Sequence, residues 1–392
     1  MTSSLRVLHI GKYFPPVAGG IENFLGDLLP ALCRKGVTPG LMIHEDSRWP
    51  YPRGSFNGIR AFRAASYGTL LYAPISPRFP VVLNRAIHAF KPDLLHIHTP
   101  NTSAFWVLLI PAARRVPWLV HWHADVVASD LDRRMAVAYT LYRPIEQSLL
   151  AGAARILATS GPYLQSSLSL RPWRDKARVV PLGLDPNRLK SAGSQDRSWA
   201  TEQWGRFSKR VLAIGRLTYY KGHEHLIDAA KGLGDCGVLI VGEGERKPYL
   251  QSLIRKAGLT DRVRLMGGIA ESRLHALIES CDCVCLPSVE RTEAFGLVLL
   301  EAMRYEKPII ASDVPGSGIG WVLQDGASGL LVPPADAGAL CSRLRELLED
   351  VSLRRQLAKA AYRRFEDCFG IDRVADRIAA LYKEILGCRV NP

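Results

Sequence analysis

No stretch of 18 or more apolar residues runs through this 392-residue chain, and the nearest approach, Phe105 to Val120, is interrupted by Arg114 and Arg115. That leaves no candidate for a helix spanning a bilayer. The opening MTSSLRVLHIG has no leader-peptide form and passes straight into a strand, so a cytoplasmic protein is expected. None of the eight cysteines forms a Cys-x-x-Cys pair or sits near a Cys/His cluster of zinc spacing. Reduced thiols are therefore expected. Cys281, Cys283 and Cys285 alternate along one predicted strand and share a face; small buried hydrophobes explain them better than a metal site. A dinucleotide fingerprint is also missing: Gly242-Glu-Gly244 follows the predicted strand Val238 to Val241, but Lys247 stands where a third glycine is required. This counts against an NAD enzyme.

Acidic residues are scarce in the first half. Through Lys190 there are 23 Lys/Arg against 11 Asp/Glu, so most of the net charge of +14 sits there. A basic face suits an anionic partner, whether a lipid leaflet, a diphosphate-linked lipid or nucleic acid, although an Arg-rich soluble surface is the plainer alternative. An apolar content of 47% and a charged content of 22% belong to a folded soluble chain. Its length suits two α/β domains.

The most informative stretch is Val289 to Glu301, VERTEAFGLVLLE. Cys281 to Pro287 reads as a short buried strand and Phe295 to Met303 as the start of a helix, so Ser288 to Ala294 is a loop opening onto a helix N-terminus. Such loops bind anions in open α/β sheets through free N–H groups and the helix dipole. Glu290, Glu293 and Glu301 would repel a phosphate, so hydroxyls beside it are their better partners. Glu293 and Glu301 are separated by roughly 12 Å at helical rise, a span that suits the two hydroxyl-bearing ends of a nucleotide sugar. The alternative is an N-capping Glu293 and a solvated Glu301.

Glu293-Ala-Phe-Gly-Leu-Val-Leu-Leu-Glu301 resembles the EAFG...E signature of retaining glycosyltransferases of family 4, and the text from Cys281 to Pro333 is similar to that family throughout. The resemblance implies an α/β fold of GT-B type, with two doubly wound Rossmann-like domains facing a central crevice. Its second half would bind the nucleotide sugar, with Ala294, Phe295, Gly296 and Leu297 beside the two glutamates.

Strand, Gly-rich loop and helix also open the chain, as Leu5 to Ile10, Gly11 to Gly20 and Ile21 to Leu32. The PP...GG loop resembles the family's first loop, which implies donor contacts at Gly19 and Gly20 and an acceptor-side Tyr13. Two short strands are expected between Gly40 and Arg63, a long loop from Tyr67 to Pro80, and alternating helices and strands to Trp118–His121. Ser103 to Arg115 is read as one helix. His121-Trp122-His123-Ala124-Asp125 admits a metal site, though no further ligand cluster is obvious, or a general base. The resemblance implies a third role, in which His123 hydrogen-bonds the donor sugar; Asp125 would orient a histidine or the acceptor. No metal is expected. Arg133 to Ala151 mixes basic and apolar residues, as a membrane-facing helix or an ordinary amphipathic one.

Gly215-Arg216 and Lys221-Gly222 resemble the family's diphosphate-binding GR...KG, which implies that Arg216 and Lys221 neutralise the leaving diphosphate; two solvated cations are the alternative. Gly242 and Gly268 fall where the pattern places donor contacts. The expected divisions are an acceptor-binding domain over 1–190, a polar linker over 191–209, a donor-binding domain over 210–370 and a helix over 371–392 that crosses back to the first domain. Expected partners are a nucleotide sugar, GDP-mannose before UDP-hexoses, as co-substrate, a lipid-linked saccharide acceptor, and an anionic membrane surface on the basic domain, with no cofactor and no nucleic acid. The nearest resemblance is to bacterial mannosyl- and rhamnosyltransferases of exopolysaccharide or O-antigen assembly. A nucleotide-sugar epimerase and a non-catalytic sugar binder are the readings from other classes.

Overall fold

A computed structural model describes residues 4–17, 19–45, 55–56, 58–70, 73–126 and 133–387, with the backbone alone for 133–138. Parts of the expected Gly40–Arg63 strands and of the Tyr67–Pro80 loop, and the side chains that begin the Arg133–Ala151 helix, lie outside the described residues. The chain divides into two compact units, Met1–Leu184 with Ile371–Pro392, and Asp185–Gly370.

Apolar runs of four to six residues bounded by turn signals are what a parallel strand covered on both faces requires. The first unit contains β1 (Leu5–Ile10), β2 (Val37–Glu45), β3 (Ser55–Phe56), β4 (Ile59–Ala65), a small hairpin of β5 (Thr69–Leu70) and β6 (Ala73–Pro74), β7 (Leu94–Thr99), β8 (Trp118–Trp122), β9 (Arg155–Ala158) and β10 (Ala177–Val179). The main sheet has the order β10-β9-β8-β7-β1-β2-β4-β3. All pairs in it are parallel except β3 with β4. The order reverses between β1 and β7. Helix Gly20–Arg34 follows β1 and buries Phe24, Leu25, Leu28, Leu29 and Leu32 on one stripe.

The C-terminal helix Ile371–Gly387 belongs to this first unit and packs against helix Gly20–Arg34. Its buried stripe runs Ile371, Val374, Ile378, Leu381, Tyr382 and Ile385. Ion pairs Arg34–Asp372 at 2.9 Å, Lys35–Asp376 at 2.8 Å and Arg155–Glu384 at 2.8 Å line its rim. Inside, the Tyr382 hydroxyl lies 2.6 Å from Nδ1 of His96 in β7.

The second unit holds β11 (Lys209–Ile214), β12 (Cys236–Val241), β13 (Val263–Gly267), β14 (Cys283–Leu286), β15 (Ile309–Ser312) and β16 (Leu330–Val332). Its sheet is wholly parallel, with the order β13-β12-β11-β14-β15-β16, so the order reverses between β11 and β14. Cys283 and Cys285 are buried in its core among Val211, Ala213, Val238 and Ile310. Among the described residues every cysteine is free.

Two expectations are corrected. Ser103 to Arg115 is a 3-10 helix, Thr102–Leu108, followed by a separate short helix, Pro111–Arg114. Pro111 has no N–H to continue the first helix and its ring excludes the carbonyl four residues back. The stretch 191–209 is no loose linker: Ser194–Trp204 forms a helix with Ala200 and Trp204 buried. Trp204 Nε1 donates to Ser280 Oγ at 2.8 Å, and the N–H of Ala192 donates to Glu279 Oε1 at 3.0 Å, which ties this segment into the second unit. Its polar composition reflects a one-sided surface helix, not a tether.

Candidate functional site

Loops at the carboxyl ends of the strands that flank a reversal of strand order have no crossover helix between them, and ligands of open α/β sheets bind there. In the second unit these are the loops after β11 and β14. They are tied together by the N–H of Val289, which donates to Tyr220 O at 2.8 Å. Gly222 makes the approach possible. It has a left-handed φ of 62°, and a Cβ there would stand 2.1 Å from Pro287 O.

Lys221 and Glu293 meet across this junction as an ion pair, their side chains only 12% and 11% exposed. Burial by itself would lower the lysine pKa; the Glu293 carboxylate, helped by Tyr220, outweighs it and holds Lys221 above its ordinary value. Ser288 Oγ donates to Glu293 Oε2 at 3.3 Å, and Ser317 Oγ donates to the Glu293 carbonyl. Gly215 and Arg216 begin the first loop, with Arg216 exposed. Its charge opposes that of Lys221, so two cations stand together at this edge.

Gly296, left-handed at φ 77°, is the N-cap of helix Leu297–Arg304. Ala294 and Phe295 are buried, and the Phe295 ring packs edge-on to Phe369 at 6.0 Å, so its side chain serves the core. Glu301 lies one turn into the helix, and burial raises its carboxyl pKa against the opposing pull of Arg188. Arg188 Nη2 is 3.5 Å from Glu301 Oε1, and Arg188 Nη1 donates to Glu271 at 3.0 Å. Arg188 was missed in the sequence, where it sits among turn-forming residues with no motif to mark it. Gly242 and Gly215 pack backbone to backbone: a Cβ on Gly242 would be 2.0 Å from Gly215 O. The N–H of Gly268 donates to Glu243 Oε1 at 3.1 Å, and Lys247 pairs with the same carboxylate at 3.1 Å. Lys247 thus occupies the turn that a dinucleotide site would leave to glycine.

In the first unit, Gly19 caps helix Gly20–Arg34, and the Glu22 carboxylate covers it closely enough to leave 2.1 Å for a Cβ. Tyr13 is buried with its ring edge toward His44 at 5.9 Å. Asp125 Oδ1 accepts from Trp122 Nε1 and from Ser167 Oγ, both at 2.7 Å, and its N–H donates to the Tyr163 hydroxyl at 2.6 Å. Those bonds lock the turn after β8.

His123 is not the isolated strand-end imidazole that the sequence suggests. Parallel register pairs His9 with His96 and His98 with His121, and alternation puts His96 with His98 on one face. Five buried imidazoles therefore collect at the switch point of the first sheet, His9, His96, His98, His121 and His123. The two His-x-His spacings on neighbouring strands were the available signal. Burial lowers all five pKa values, to about 3 for His9 and His121 and well below the ordinary value for the others. Ring nitrogens within the groups His9/His96/His98 and His98/His121/His123 lie within 4.8 Å of one another, near enough for a metal ion. The rings are stacked, His121 on His123 at 4.2 Å and 13°, with His96 nearly parallel to His121 at 7°. The nitrogens bond to each other, His9 Nδ1 to His98 Nε2 at 3.1 Å and His98 Nδ1 to His123 Nε2 at 3.0 Å.

Two doubly wound sheets, one carrying a buried cation at its switch point, are the layout of an α/β enzyme that handles a nucleotide. Comparison with known proteins specifies the kind. Residues 201–364 match the family "Glycosyl transferases group 1", and residues 19–183 match the "Glycosyl transferase 4-like domain". The chain is 30% identical over 390 residues to the O-antigen chain mannosyltransferase C of Escherichia coli, covering 97% of this chain and 99% of that one. It is 30% identical over 367 residues to the D-rhamnosyltransferase WbpZ of Pseudomonas aeruginosa, covering 93% and 92%. Among solved structures, a sucrose-phosphate synthase from Thermosynechococcus elongatus matches with a TM-score of 0.80 at 23% identity, over 98% of this chain and 100% of that one. The Anabaena protein HepE, solved with UDP-glucose, matches at 0.77 and 22% identity, over 97% and 100%. The chain belongs to the group 1 glycosyl transferases, enzymes of GT-B fold that use nucleotide-sugar donors.

The buried charges yield two predictions. Replacing Lys221 with Met leaves Glu293 without its cation and should cost on the order of 3 kcal/mol in denaturant unfolding. Adding Glu293→Gln should restore much of that loss; strictly additive effects would show that the pair is not coupled. The second concerns pH. His9, His121 and His223, held near 3, and His44, held near 4, are neutral when folded and charge on unfolding below about pH 6.5. Unfolding then takes up protons, so stability falls as pH drops from 6.5 toward 4. Buried Glu146, raised to about 7 first of all by burial, and Glu301, also raised by burial, work in the opposite direction but are outnumbered by the buried histidines. Melting temperatures across this range should fall steeply, and a flat profile would contradict the buried neutral histidines.

Proposed function

We propose that this glycosyltransferase moves mannose from GDP-mannose, with retention of configuration, onto a saccharide carried on a lipid diphosphate in bacterial surface-polysaccharide assembly. The observation that carries the site assignment is the buried Lys221–Glu293 pair at the switch point of the second sheet, with Arg216 on the same loop. Charge grows on the nucleoside diphosphate as it departs, and cations fixed beforehand stabilise that state most. The second unit holds the donor. Arg216 and Lys221 take the diphosphate, Glu293 a sugar hydroxyl, and Glu301 exchanges Arg188 for the ribose. Main chain at Gly215, Gly242, Gly268 and 294–297 lines the nucleotide. In the first unit His123 meets a sugar oxygen, Gly19 and Gly20 let ligand approach the backbone, and Tyr13 and Asp125 shape the acceptor side.

The acceptor hydroxyl attacks the anomeric carbon on the face that the diphosphate leaves. The carbon–oxygen bond to phosphate breaks, and a diphosphate oxygen takes the hydroxyl proton. No protein nucleophile takes part, and Arg216 and Lys221 supply the charge that a metal would otherwise bring. Mannose is supported by the near full-length likeness to a mannosyltransferase. A UDP-hexose donor is the second reading, favoured by the likeness to HepE, which was solved with UDP-glucose.

Among the described residues no helix is long and apolar enough to cross a membrane. We place the protein at the inner face of the cell membrane, held peripherally by its basic first unit. Leu141, 74% exposed, and Ile145, 44% exposed, are one turn apart on the same face of helix Arg133–Gly152, an apolar pair suited to an interface.

In a thermal-shift series, GDP and GDP-mannose should raise the melting temperature, since a ligand of the native state stabilises by mass action. A response to UDP compounds alone would overturn the choice of sugar. Transfer should fall by about a hundredfold or more in Lys221→Met, and unimpaired transfer there would remove the diphosphate assignment. Binding to vesicles should require anionic lipid and weaken with salt; binding indifferent to both would refute the membrane face.

A further inference from the structure

His98 bonds through both of its ring nitrogens, to His9 on one side and to His123 on the other. A neutral imidazole carries one N–H and one lone pair, so a ring bonded on both sides must donate on one and accept on the other. The three rings therefore have only two self-consistent proton arrangements. In one, every N–H points toward His123: His9 Nδ1–H donates to His98 Nε2, His98 Nδ1–H donates to His123 Nε2, and the remaining proton of His123 is on Nδ1. In the other, every N–H points away, and His9 carries its proton on Nε2.

The ends of the chain separate the two. Nε2 of His9 and Nδ1 of His123 are both buried without a hydrogen-bond partner. In the outward arrangement His9 Nε2–H is a buried donor with no partner among the protein atoms, and such donors are rarer than orphaned acceptors. In the inward arrangement the proton at risk is on His123 Nδ1, where an arriving oxygen can accept it. Only the inward arrangement leaves no orphan N–H once that oxygen is in place.

We propose that His98 and His9 are positioning residues that fix His123 as the Nδ1–H tautomer, so that it presents a hydrogen-bond donor to an oxygen of the bound sugar. This rests on His123 meeting the sugar, as proposed above. Phe24 holds the ring from the side, its edge on His123 at 5.6 Å and on His121 at 5.3 Å, so orientation and proton position are set by different neighbours.

The test is a long-range 1H–15N correlation spectrum of 15N-histidine-labelled protein, which distinguishes protonated from unprotonated ring nitrogens. Resonances are assigned by single substitutions among the ten histidines. The wild type should show the proton of His123 on Nδ1, with Nδ1–H also at His98 and His9; a proton on Nε2 of His123 overturns the proposal. In His98→Phe, which keeps a ring in the stack but removes both bonds, His123 should shift toward Nε2–H, the form a free side chain favours in water. An unchanged tautomer in folded His98→Phe would show that His98 does not set it, and if that variant does not fold the wild-type spectrum alone decides. The kcat of His98→Phe should fall about tenfold, as expected for one misdirected hydrogen bond, with donor KM little changed. His123→Phe separates the two readings: full transfer there removes His123 from the site, while the spectra continue to report the chain.

Discussion

Parallel pairing is the constraint on which the rest of this molecule depends. Two neighbouring parallel strands cannot be joined by a tight turn, so each connection crosses a face of the sheet as a helix and returns. When the strand order reverses, the loops leaving the two central strands are no longer bridged by a helix, and their backbones lie side by side. In the second unit those strands are β11 and β14, and their loops carry Lys221 and Glu293 into contact. In the first unit they are β1 and β7, and the same reversal gathers His9, His96 and His98. Both collections of reactive groups follow from one topological rule applied twice.

Burial decides which of these groups matter. The rim of the C-terminal helix carries ion pairs such as Arg34–Asp372, with side chains 46% and 56% exposed, and pairs of that kind add little to stability. The helix is held instead by its apolar stripe and by Tyr382 reaching His96. Lys221 and Glu293 are different, because a charge withdrawn from water needs its partner. The histidines answer the same cost by staying neutral, and neutrality is what allows one ring's proton to be dictated by the next.

Much of this was legible in the chain. The runs LRVLHI and CDCVCLP read as buried parallel strands, and the EAFG...E and GR...KG spacings placed Glu293, Arg216 and Lys221 on loops at strand ends and Glu301 in the helix that follows. Three things were not legible. The break at Pro111 was passed over because the apolar pattern on both sides suits a single helix. The segment 191–209 looked like a linker because its helix buries only Ala200 and Trp204, too few apolar positions to show a period. Arg188 and the histidine cluster depend on residues more than a hundred positions away, or on neighbouring strands whose order local periodicity does not encode.

The sequence by itself determined most of the elements, the glycines that let two loops meet, and the polar groups those loops carry, because propensity, side-chain alternation and backbone sterics act over a few residues. Only the tertiary structure decided which of those residues became partners. Sheet order and register brought Lys221 to Glu293, Glu301 to Arg188, and five imidazoles into one stack. Their protonation followed from burial, which no single position in the chain carries. Local rules chose the groups; the loss of water around them set their chemistry.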